Sequence, residues 1–311
     1  MDSSSSLSGQ RILITGASGF LGSHLGRRLA QVGCEVHAIS RKRHSIVDCL
    51  RWWQGDLTDI VTVRKLLLAI KPDVIFHLSG IVTASPDLQL VLPTFHTLLT
   101  STVNMLMMAT EIGCRRVVLA ASLTEPDPGD VDPTPGSPYA AAKWASSAYG
   151  RLFHRLYGTS VVVVRPFMTY GPNQNSQKLI PYVILALLQS ESPKISSGDW
   201  RADWIYVEDV VDGFLAAAHI SGIEGRTIDL GSGTLTAVRE VVQRIVKIVD
   251  PKAEPEFGAR PNRPSEQVRI ADTAYAYEKL GWTPKTSLDE GLRRTVSWYR
   301  EEALSIHSSA G

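Results

Sequence analysis

Short apolar runs alternate with longer amphipathic stretches along the first half of the chain, beginning at Arg11. The runs are rich in β-branched residues and end at glycine, serine or proline, which is typical of parallel strands buried on both faces. The predicted strands are Arg11 to Thr15, Glu35 to Ser40, Leu50 to Gln54, Asp73 to Leu78, Arg116 to Ala121 and Ser160 to Arg165. The predicted helices between them are Leu21 to Gln31, Thr62 to Ile70, Thr94 to Ile112 and Tyr139 to Tyr157. This alternation predicts an α/β fold with a doubly wound parallel Rossmann sheet.

After Arg165 the alternation fades into loops rich in proline, asparagine, glutamine and serine. Helices are predicted at Ile180 to Gln189, Val207 to His219, Ala237 to Val249 and Leu288 to Glu302. We therefore expect a smaller, discontinuous C-terminal α/β lobe that binds substrate. The predicted ranges are 11–166 plus 203–230 for the Rossmann domain and 167–202 plus 231–305 for the lobe. Residues 1–10, which are polar and serine-rich, are predicted to be a disordered tail.

Composition narrows the class of protein. The 311 residues are 44% hydrophobic, and 32 basic against 31 acidic side chains give a formal charge of +1. That balance disfavours nucleic acid or an anionic membrane surface as a partner. The chain has no signal-peptide pattern, no run of about 18 apolar residues for a membrane span, and no cysteine spacing for a metal site or disulfide framework. These features predict a cytoplasmic enzyme that binds a small molecule.

A glycine-rich turn follows the first predicted strand and precedes a helix. It contains Gly16, Gly19 and Gly22. Between a strand and a helix, such a turn lets the backbone approach a pyrophosphate whose charge is stabilised by free N–H groups at the helix start. The turn predicts a dinucleotide site formed by Gly16, Ser18, Gly19, Phe20, Leu21 and Gly22.

The second predicted strand ends at Ser40, where an NAD enzyme usually has an acidic residue for the ribose hydroxyls. Here Ser40 is followed by Arg41, Lys42 and Arg43. A guanidinium binds phosphate in bidentate fashion, so this loop favours the 2′-phosphate of NADP, with NAD as the alternative. Asp56 is a candidate acceptor for the adenine amine, although capping of a turn is an equally ordinary role.

Tyr139 and Lys143 are four residues apart and fall on one face of a predicted helix. A nearby ammonium stabilises a phenolate, so Lys143 is expected to lower the pKa of Tyr139, which would act as a general acid/base. Ser122 ends a predicted strand and is a candidate hydrogen-bond partner for the same substrate oxygen, with Thr124 as a possible helper.

With these residues the chain resembles the extended short-chain dehydrogenases/reductases, also called the NAD-dependent epimerase/dehydratase family, and in particular its nucleotide-sugar branch. The matching motifs are Thr15 to Gly22, Gly55 to Leu57, Ser122, Ser137 to Tyr139 with Lys143, Arg165 to Phe167, Tyr170 to Pro172, Lys178 to Pro181, Asp203 to Asp209, Arg263 to Glu266 and Gly281 to Pro284. The resemblance implies a paired-helix homodimer and further dinucleotide contacts at Leu57, Leu78, Ser79, Gly80 and Pro166, besides Tyr139 and Lys143.

The resemblance also implies a nucleotide-sugar substrate. Lys178, Leu179 and Ile180 would contact its nucleotide and Arg263 its diphosphate. Met168 replaces the usual asparagine, for which Asn173 or Asn175 is the substitute candidate. Trp200 and Ala202 replace the usual glutamine and arginine, for which Arg201 is the substitute candidate.

The leading interpretation is an NADPH-dependent reductase of a 4-keto sugar nucleotide, and the alternative is a 4-epimerase that uses the same residues. A reductase of a non-sugar hydroxy or keto compound and a non-catalytic NADP-binding sensor remain open as lesser alternatives. A 4,6-dehydratase is disfavoured because Leu123 and Thr124 follow Ser122, where dehydratases of the family normally have an Asp-Glu pair, and Glu125, one position later, is only a weak substitute.

Overall fold

The structure is a computed structural model that describes residues 5–44, 50–127, 129, 131–262 and 267–308. The chain divides into two compact units. The first comprises Met1–Pro166, Val211–Leu230 and Ala274–Trp282, and the second Phe167–Val210, Gly231–Thr273 and Thr283–Gly311. Relative to the predicted ranges, residues 203–210 fall in the second unit and residues 274–282 in the first.

A seven-stranded sheet forms the centre of the first unit, and all its strand pairs are parallel. Its strands are β1 (Arg11–Thr15), β2 (Glu35–Ser40), β3 (Arg51–Gln54), β4 (Val74–His77), β5 (Arg116–Ala120), β6 (Val161–Pro166) and β10 (Thr227–Leu230). Their order is β10-β6-β5-β4-β1-β2-β3, so the direction of winding reverses beside β1. The predicted doubly wound Rossmann sheet is confirmed. In such sheets ligands bind at the carboxyl ends of the strands beside the reversal.

Helices cover both faces of this sheet: α1 (Phe20–Gln31), α2 (Ile60–Ile70), α4 (Ser101–Glu111), α5 (Pro138–Tyr157) and α7 (Val207–His219). On one face, Val63 and Leu67 of α2 and Leu106 of α4 belong to a buried cluster with alternate strand residues. On the other face, the ring of Phe214 in α7 lies 6.4 Å from that of Phe76 in β4. Burial on both faces explains why the strands read as continuous apolar runs.

The helix boundaries follow local capping signals. Asp59 accepts hydrogen bonds from Val61 and Thr62 at the start of α2. Ser137 caps α5, Pro138 takes its first turn, and Gly158 ends it in the left-handed region at φ 67°. Serine or aspartate before a helix satisfies its free N–H groups, and glycine after it adopts positive φ without strain.

The helix predicted at Thr94 to Ile112 is divided. It consists of α3 (Val91–Thr94), a π-helical segment (Phe95–Thr100) and α4. With the preceding turn, the stretch Leu88–Glu111 is long and apolar enough to cross a membrane by length and composition. However, Met105, Leu106 and Met108 of α4 are buried in the sheet core, which accounts for the apolar composition of that half.

The second unit contains a three-stranded sheet in the order β11-β9-β7. Its strands are β7 (Met168–Tyr170), β9 (Arg201–Tyr206) and β11 (Leu235–Ala237), and β8 (Lys194–Ile195) pairs with β12 (Glu256–Phe257). Its long helices are α6 (Leu179–Leu188), α8 (Val238–Val249) and α10 (Leu288–Ser308). Helix α9 (Thr273–Leu280), which was not predicted, falls in the first unit except for its first residue.

Two predictions about chain organisation differ from the structure. Within the segment 203–230 that was assigned to the Rossmann domain, β9 pairs with β7 and β11 in the small sheet, whereas β10 joins the large sheet. The tail predicted at 1–10 is structured in its described part. Ser5–Leu7 forms a 3-10 turn, Leu7 is fully buried, and Gly9 donates a backbone hydrogen bond to Gly33. One apolar side chain is enough to anchor this segment against the first unit.

Candidate active site

The glycine-rich turn lies between β1 and α1 at the point where the strand order reverses. Gly16 has φ +76°, and a Cβ atom there would lie 2.9 Å from the backbone nitrogen of Ser79. A Cβ on Gly22 would lie 2.2 Å from the carbonyl oxygen of Gly16, whereas one on Gly19 would meet only that oxygen, at 3.2 Å. Gly16 and Gly22 are therefore required for the turn itself, while Gly19 leaves its surface open.

The start of α1 faces outward from this turn. Gly19 precedes the helix and has no side chain to cap it, and Phe20 and Leu21 occupy the first turn. Ser18 and Gly19 are exposed, and Phe20 and Leu21 are half-buried. The first N–H groups of an α-helix have no partner within the helix, so this end is suited to an anion.

The carboxyl end of β4 is fastened to β1 beside the glycine turn. Thr15 Oγ1 lies 2.9 Å from His77 Nδ1 and accepts hydrogen bonds from the backbone of Leu78 and Ser79. His77 Nε2 lies 3.1 Å from Thr102 Oγ1. Burial, with a smaller effect of the Lys143 charge, lowers the pKa of His77 to about 3. His77 is thus a packed, neutral histidine.

The Ser79 hydroxyl is a polar group that suits contact with a bound ligand. Its Oγ is buried and has no hydrogen-bond partner among the described residues. Gly80 follows at φ +135° and is exposed. Buried hydroxyls are normally paired. Together with the turn that only glycine can form, this unpaired hydroxyl fits a dinucleotide at the strand ends.

Ser40, the last residue of β2, is hydrogen-bonded to the loop that follows the strand. Ser40 Oγ accepts a hydrogen bond from the backbone of Lys42 and lies 3.1 Å from His44 Nε2. The Arg41 side chain is exposed, and Arg43 donates to Gln54 on neighbouring β3. Arg41 is therefore the cation of this loop best placed to meet a ligand, while the Ser40 hydroxyl serves the loop.

The remaining predicted cofactor residues lie at other strand ends. Asp56 Oδ1 accepts from both the backbone and the hydroxyl of Thr58, which is the turn-capping role. Leu57 is buried, and Pro166 is half-buried at the end of β6.

Ser122 lies in a tight turn just after β5. The turn is closed by a backbone hydrogen bond from Glu125 to the Ser122 carbonyl, at 3.1 Å. Ser122 Oγ lies 2.9 Å from Thr124 Oγ1 and accepts from the Thr124 backbone. The two hydroxyls predicted to work together are in contact.

Tyr139 and Lys143 lie on one buried face of α5, as their spacing predicted. Tyr139 forms a small apolar cluster with Leu98 and Ala142, and its phenol is hydrogen-bonded with Ser122. Lys143 Nζ donates to the carbonyl of Ala120, the last residue of β5, at 2.6 Å. The structure thus brings the serine, the tyrosine and the lysine to the carboxyl end of β5.

The expected lowering of the Tyr139 pKa is wrong, because the pKa of Tyr139 lies above its usual value. Burial raises the pKa of Tyr139, the Ser122 hydrogen bond lowers it, and the Glu125 charge raises it. Burial also lowers the pKa of Lys143 to about 8, against an opposing effect of Glu125. The reason is geometric, because the ammonium points at the Ala120 carbonyl and both groups lie away from water.

Glu125 is the residue of this site that the sequence did not reveal. It is only 1% exposed, and its Oε1 accepts from the Ser122 backbone at 3.0 Å and from Ser147 Oγ at 2.9 Å. Its Oε2 faces Arg165, which also pairs with Asp229 at 3.1 Å. An acidic residue between a serine turn and a proline-rich loop looks solvent-exposed in sequence, so no local signal predicted its burial.

The predicted substrate residues lie in the second unit. Lys178, Leu179 and Ile180 lie at the start of α6, and Asn173 is exposed with φ 62° in the loop before it. Arg201 lies on β9 and donates to the carbonyl of Leu235 on β11, so it braces the small sheet. Arg263, with its motif through Glu266, lies outside the described residues.

Comparison with known proteins extends these observations. The model of the NAD dependent epimerase/dehydratase family matches residues 12–231. A UDP-glucose 4-epimerase of Mycolicibacterium smegmatis is 32% identical over 317 residues, covering 94% of this chain and 99% of the relative. The UDP-glucose 4-epimerase of Thermotoga maritima, solved with UDP-glucose, has a TM-score of 0.86 at 25% identity and covers 94% and 99% of the two chains.

A further solved structure, MoeE5 in complex with UDP-glucose and NAD, has a TM-score of 0.84 at 28% identity and covers 94% of this chain and 99% of its own. The resemblance found in the motifs is therefore confirmed over nearly the whole chain. The chain belongs to the NAD-dependent epimerase/dehydratase family, and it is an enzyme of the extended short-chain dehydrogenase/reductase type.

Proposed function

We propose that this enzyme is a nucleotide-sugar 4-epimerase, which oxidises one carbinol of its substrate and reduces it again from the other face. The proposal rests on the hydroxyls at the end of β5, where Tyr139 is hydrogen-bonded with Ser122 and Ser122 Oγ lies 2.9 Å from Thr124 Oγ1. Leu123 lies where an elimination would need an acid, so the cluster can exchange a proton with a carbinol oxygen but lacks the group for dehydration. Full-length similarity to a UDP-glucose 4-epimerase supports the same reaction.

In this proposal Tyr139 exchanges the proton of the reacting oxygen. Ser122 donates a hydrogen bond to that oxygen as it gains charge, and Thr124 orients the Ser122 hydroxyl. Lys143 would hold the nicotinamide ribose. Because Tyr139 is buried, its proton is exchanged with the substrate rather than with bulk water.

The dinucleotide would bind along the carboxyl ends of the strands. The glycine turn and the start of α1 would hold the pyrophosphate, with Ser79, Gly80 and Pro166 beside the nicotinamide half. When bound, the dinucleotide supplies the hydride acceptor and donor. MoeE5 binds NAD together with UDP-glucose, which supports this pairing of ligands.

For the substrate we propose a uridine or similar nucleotide diphosphate linked to a hexose. Lys178, Leu179 and Ile180 would contact the nucleotide, and Asn173 would contact the diphosphate, as would Arg263. Arg201 is the weakest of these candidates because its guanidinium already binds the Leu235 carbonyl.

The decisive assay is incubation of the purified protein with UDP-glucose or UDP-glucuronate and NAD. We expect the 4-epimeric sugar nucleotide to form, as resolved by proton NMR, with no net change in absorbance at the nicotinamide band. The matched assay uses a 4-keto sugar nucleotide with NADPH. Stoichiometric loss of NADPH in this second assay, without epimer formation in the first, would show that the enzyme is a reductase and not an epimerase.

The reductase is the second candidate, and the loop after β2 favours it. Ser40 stands where an acidic residue would select NAD, and the exposed Arg41 follows it. Reductases exchange NADPH with solution, whereas epimerases of this type usually retain NAD, so the preferred cofactor separates the two candidates.

Arg41→Ala tests this cofactor site. If the Arg41 guanidinium binds a 2′-phosphate, the wild type prefers NADPH over NADH and the variant loses most of that preference, at a cost of about 1.5–3 kcal/mol. The preference should also weaken at high salt because Arg41 is exposed. Calorimetric titration with NADPH and with NADH measures this preference. Arg43→Ala is the matched control because the Arg43 side chain is bound to Gln54. Equal affinities for both nucleotides in the wild type would contradict the 2′-phosphate site.

The predicted homodimer and cytoplasmic location stay predictions. The helices expected to pair are those predicted at Thr94 to Ile112 and Tyr139 to Tyr157, and the apolar side chains exposed on them include Phe95, Trp144, Leu152 and Leu156. Large exposed apolar side chains on neighbouring helices are typical of a protein interface.

A further inference from the structure

Glu125 lies at the centre of a buried charge network beneath the proposed catalytic groups. Its side chain is 2% exposed, and that of Arg165, whose guanidinium lies 3.8 Å from it, is 11% exposed. A buried carboxylate is costly unless it is paired and hydrogen-bonded. The burial of the Glu125 carboxylate beside the proposed reaction centre therefore calls for a role in the chemistry or the geometry of that site.

We propose that Glu125 is a positioning residue of the active site, whose carboxylate closes the turn that presents Ser122 and balances the positive charge of Lys143. The inference rests on the proposed function in assigning catalytic work to Ser122 and Lys143. It goes beyond that function in identifying a group that touches neither substrate nor cofactor.

Glu125 closes the turn that carries Ser122. Two hydrogen bonds join its ends, one from the Glu125 backbone to the Ser122 carbonyl and one from the Ser122 backbone to Glu125 Oε1. The Ser122 hydroxyl is held in turn against Thr124 Oγ1 at 2.9 Å. Because Ser147 on α5 donates to the same Oε1, the carboxylate also ties the turn to the helix that carries Tyr139.

The Glu125 carboxylate is surrounded by charged and titratable groups. The groups facing this carboxylate come from separate elements: Tyr139 and Lys143 from α5 and Arg165 from β6. Beyond them, Asp229 of β10 pairs with Arg165, and neutral His77 of β4 lies near Lys143. Arg165 is thus shared between two carboxylates, whereas Lys143 has a carbonyl partner and only the Glu125 charge to oppose its burial.

The Glu125 charge keeps Lys143 protonated to a higher pH. Burial lowers the pKa of Lys143 to about 8, and the Glu125 charge raises it. Removal of that charge lowers the Lys143 pKa further, so the ammonium is lost at a lower pH. If the Lys143 ammonium anchors the ribose, affinity for the dinucleotide falls as pH rises through this pKa, and it falls earlier without Glu125.

The test is Glu125→Gln in the full-length protein, because glutamine keeps the size and the Oε1 acceptor but removes the charge. NADH and NADPH binding is measured by fluorescence from pH 6 to pH 9.5. We expect the midpoint of affinity loss to move down by about one pH unit, so that binding is several-fold weaker at pH 8 and near wild type at pH 6.5. Ser147→Ala is the matched control, since it removes a hydrogen bond from the same oxygen and keeps the charge.

Each result decides. A shifted midpoint in Glu125→Gln, with a wild-type midpoint in Ser147→Ala, supports the inference. An unchanged midpoint, or a loss of affinity equal at every pH, overturns it and leaves Glu125 a purely structural residue. Because the measurement needs only a dinucleotide, it stays decisive even if no nucleotide sugar is turned over, in which case the proposed epimerase alone fails.

Discussion

Tyr139→Phe is expected to lower kcat at least ~100-fold, which is typical of the loss of a general acid/base, while affinity for the dinucleotide stays near wild type. The phenol is buried, hydrogen-bonded with Ser122 and packed on Leu98 and Ala142. Phenylalanine keeps the ring and its packing and removes only the oxygen that would exchange the proton. The fold should therefore survive, and the loss should appear in turnover.

Tyr149→Phe is the matched control for that experiment. Tyr149 lies on the same helix, and its side chain is 40% exposed, so loss of its hydroxyl should leave kcat unchanged. Turnover is measured by epimer formation and binding by calorimetry, with equal melting temperatures required of both variants. If Tyr139→Phe retains turnover within a few-fold of wild type, another group exchanges the proton and the assignment of Tyr139 is wrong.

Most of the large sheet was predictable because its signals are local. Strands such as β1 and β6 are β-branched apolar runs that are buried on both faces, so their length can be read without knowing their neighbours. The helix predicted at Val207 to His219 has the predicted bounds, and α5 differs from its prediction by one residue. The placement of Tyr139 and Lys143, the proposed catalytic pair, was equally local, because a separation of four residues on a helix places two side chains on one face.

What escaped prediction depends on contacts between distant parts of the chain. The apolar pattern of β9 does not reveal that its partners are β7 and β11 rather than the large sheet. Leu7 is an isolated apolar residue in a serine-rich segment, and only its burial shows that it belongs to the core.

The same holds for the charges of the site. Glu125 was considered only as a weak substitute for the acid of an elimination, yet Ser147 and Arg165, distant in sequence, enclose its carboxylate. The pKa of Tyr139 moved opposite to expectation because sequence spacing gives the distance to Lys143 along a helix but not the burial of both groups.

Gly22→Ala is expected to abolish measurable NAD(P) binding. The added Cβ would lie 2.2 Å from the Gly16 carbonyl oxygen and 2.8 Å from Ala17 Cα, and both are backbone atoms of the turn that cannot move aside. The turn must open, so the N–H groups at the start of α1 lose the arrangement that would bind a pyrophosphate. We also expect a loss of stability of about 1–3 kcal/mol, as for overpacking of a core position.

Gly19→Val separates loss of the site from loss of the fold. A Cβ at Gly19 would meet only the Gly16 carbonyl oxygen, at 3.2 Å, and its φ of −84° suits any residue, so this variant should fold. Its side chain would project from the exposed surface of the turn, where the pyrophosphate is expected to approach, and calorimetry should again detect no tight binding. Gly26→Ala on the same helix is the control, because its Cβ would meet only the flexible ends of Leu50 and Ile14 and should leave affinity intact. Wild-type affinity in folded Gly19→Val would mean that the pyrophosphate lies elsewhere, and the anion-binding role of the α1 start would then be wrong.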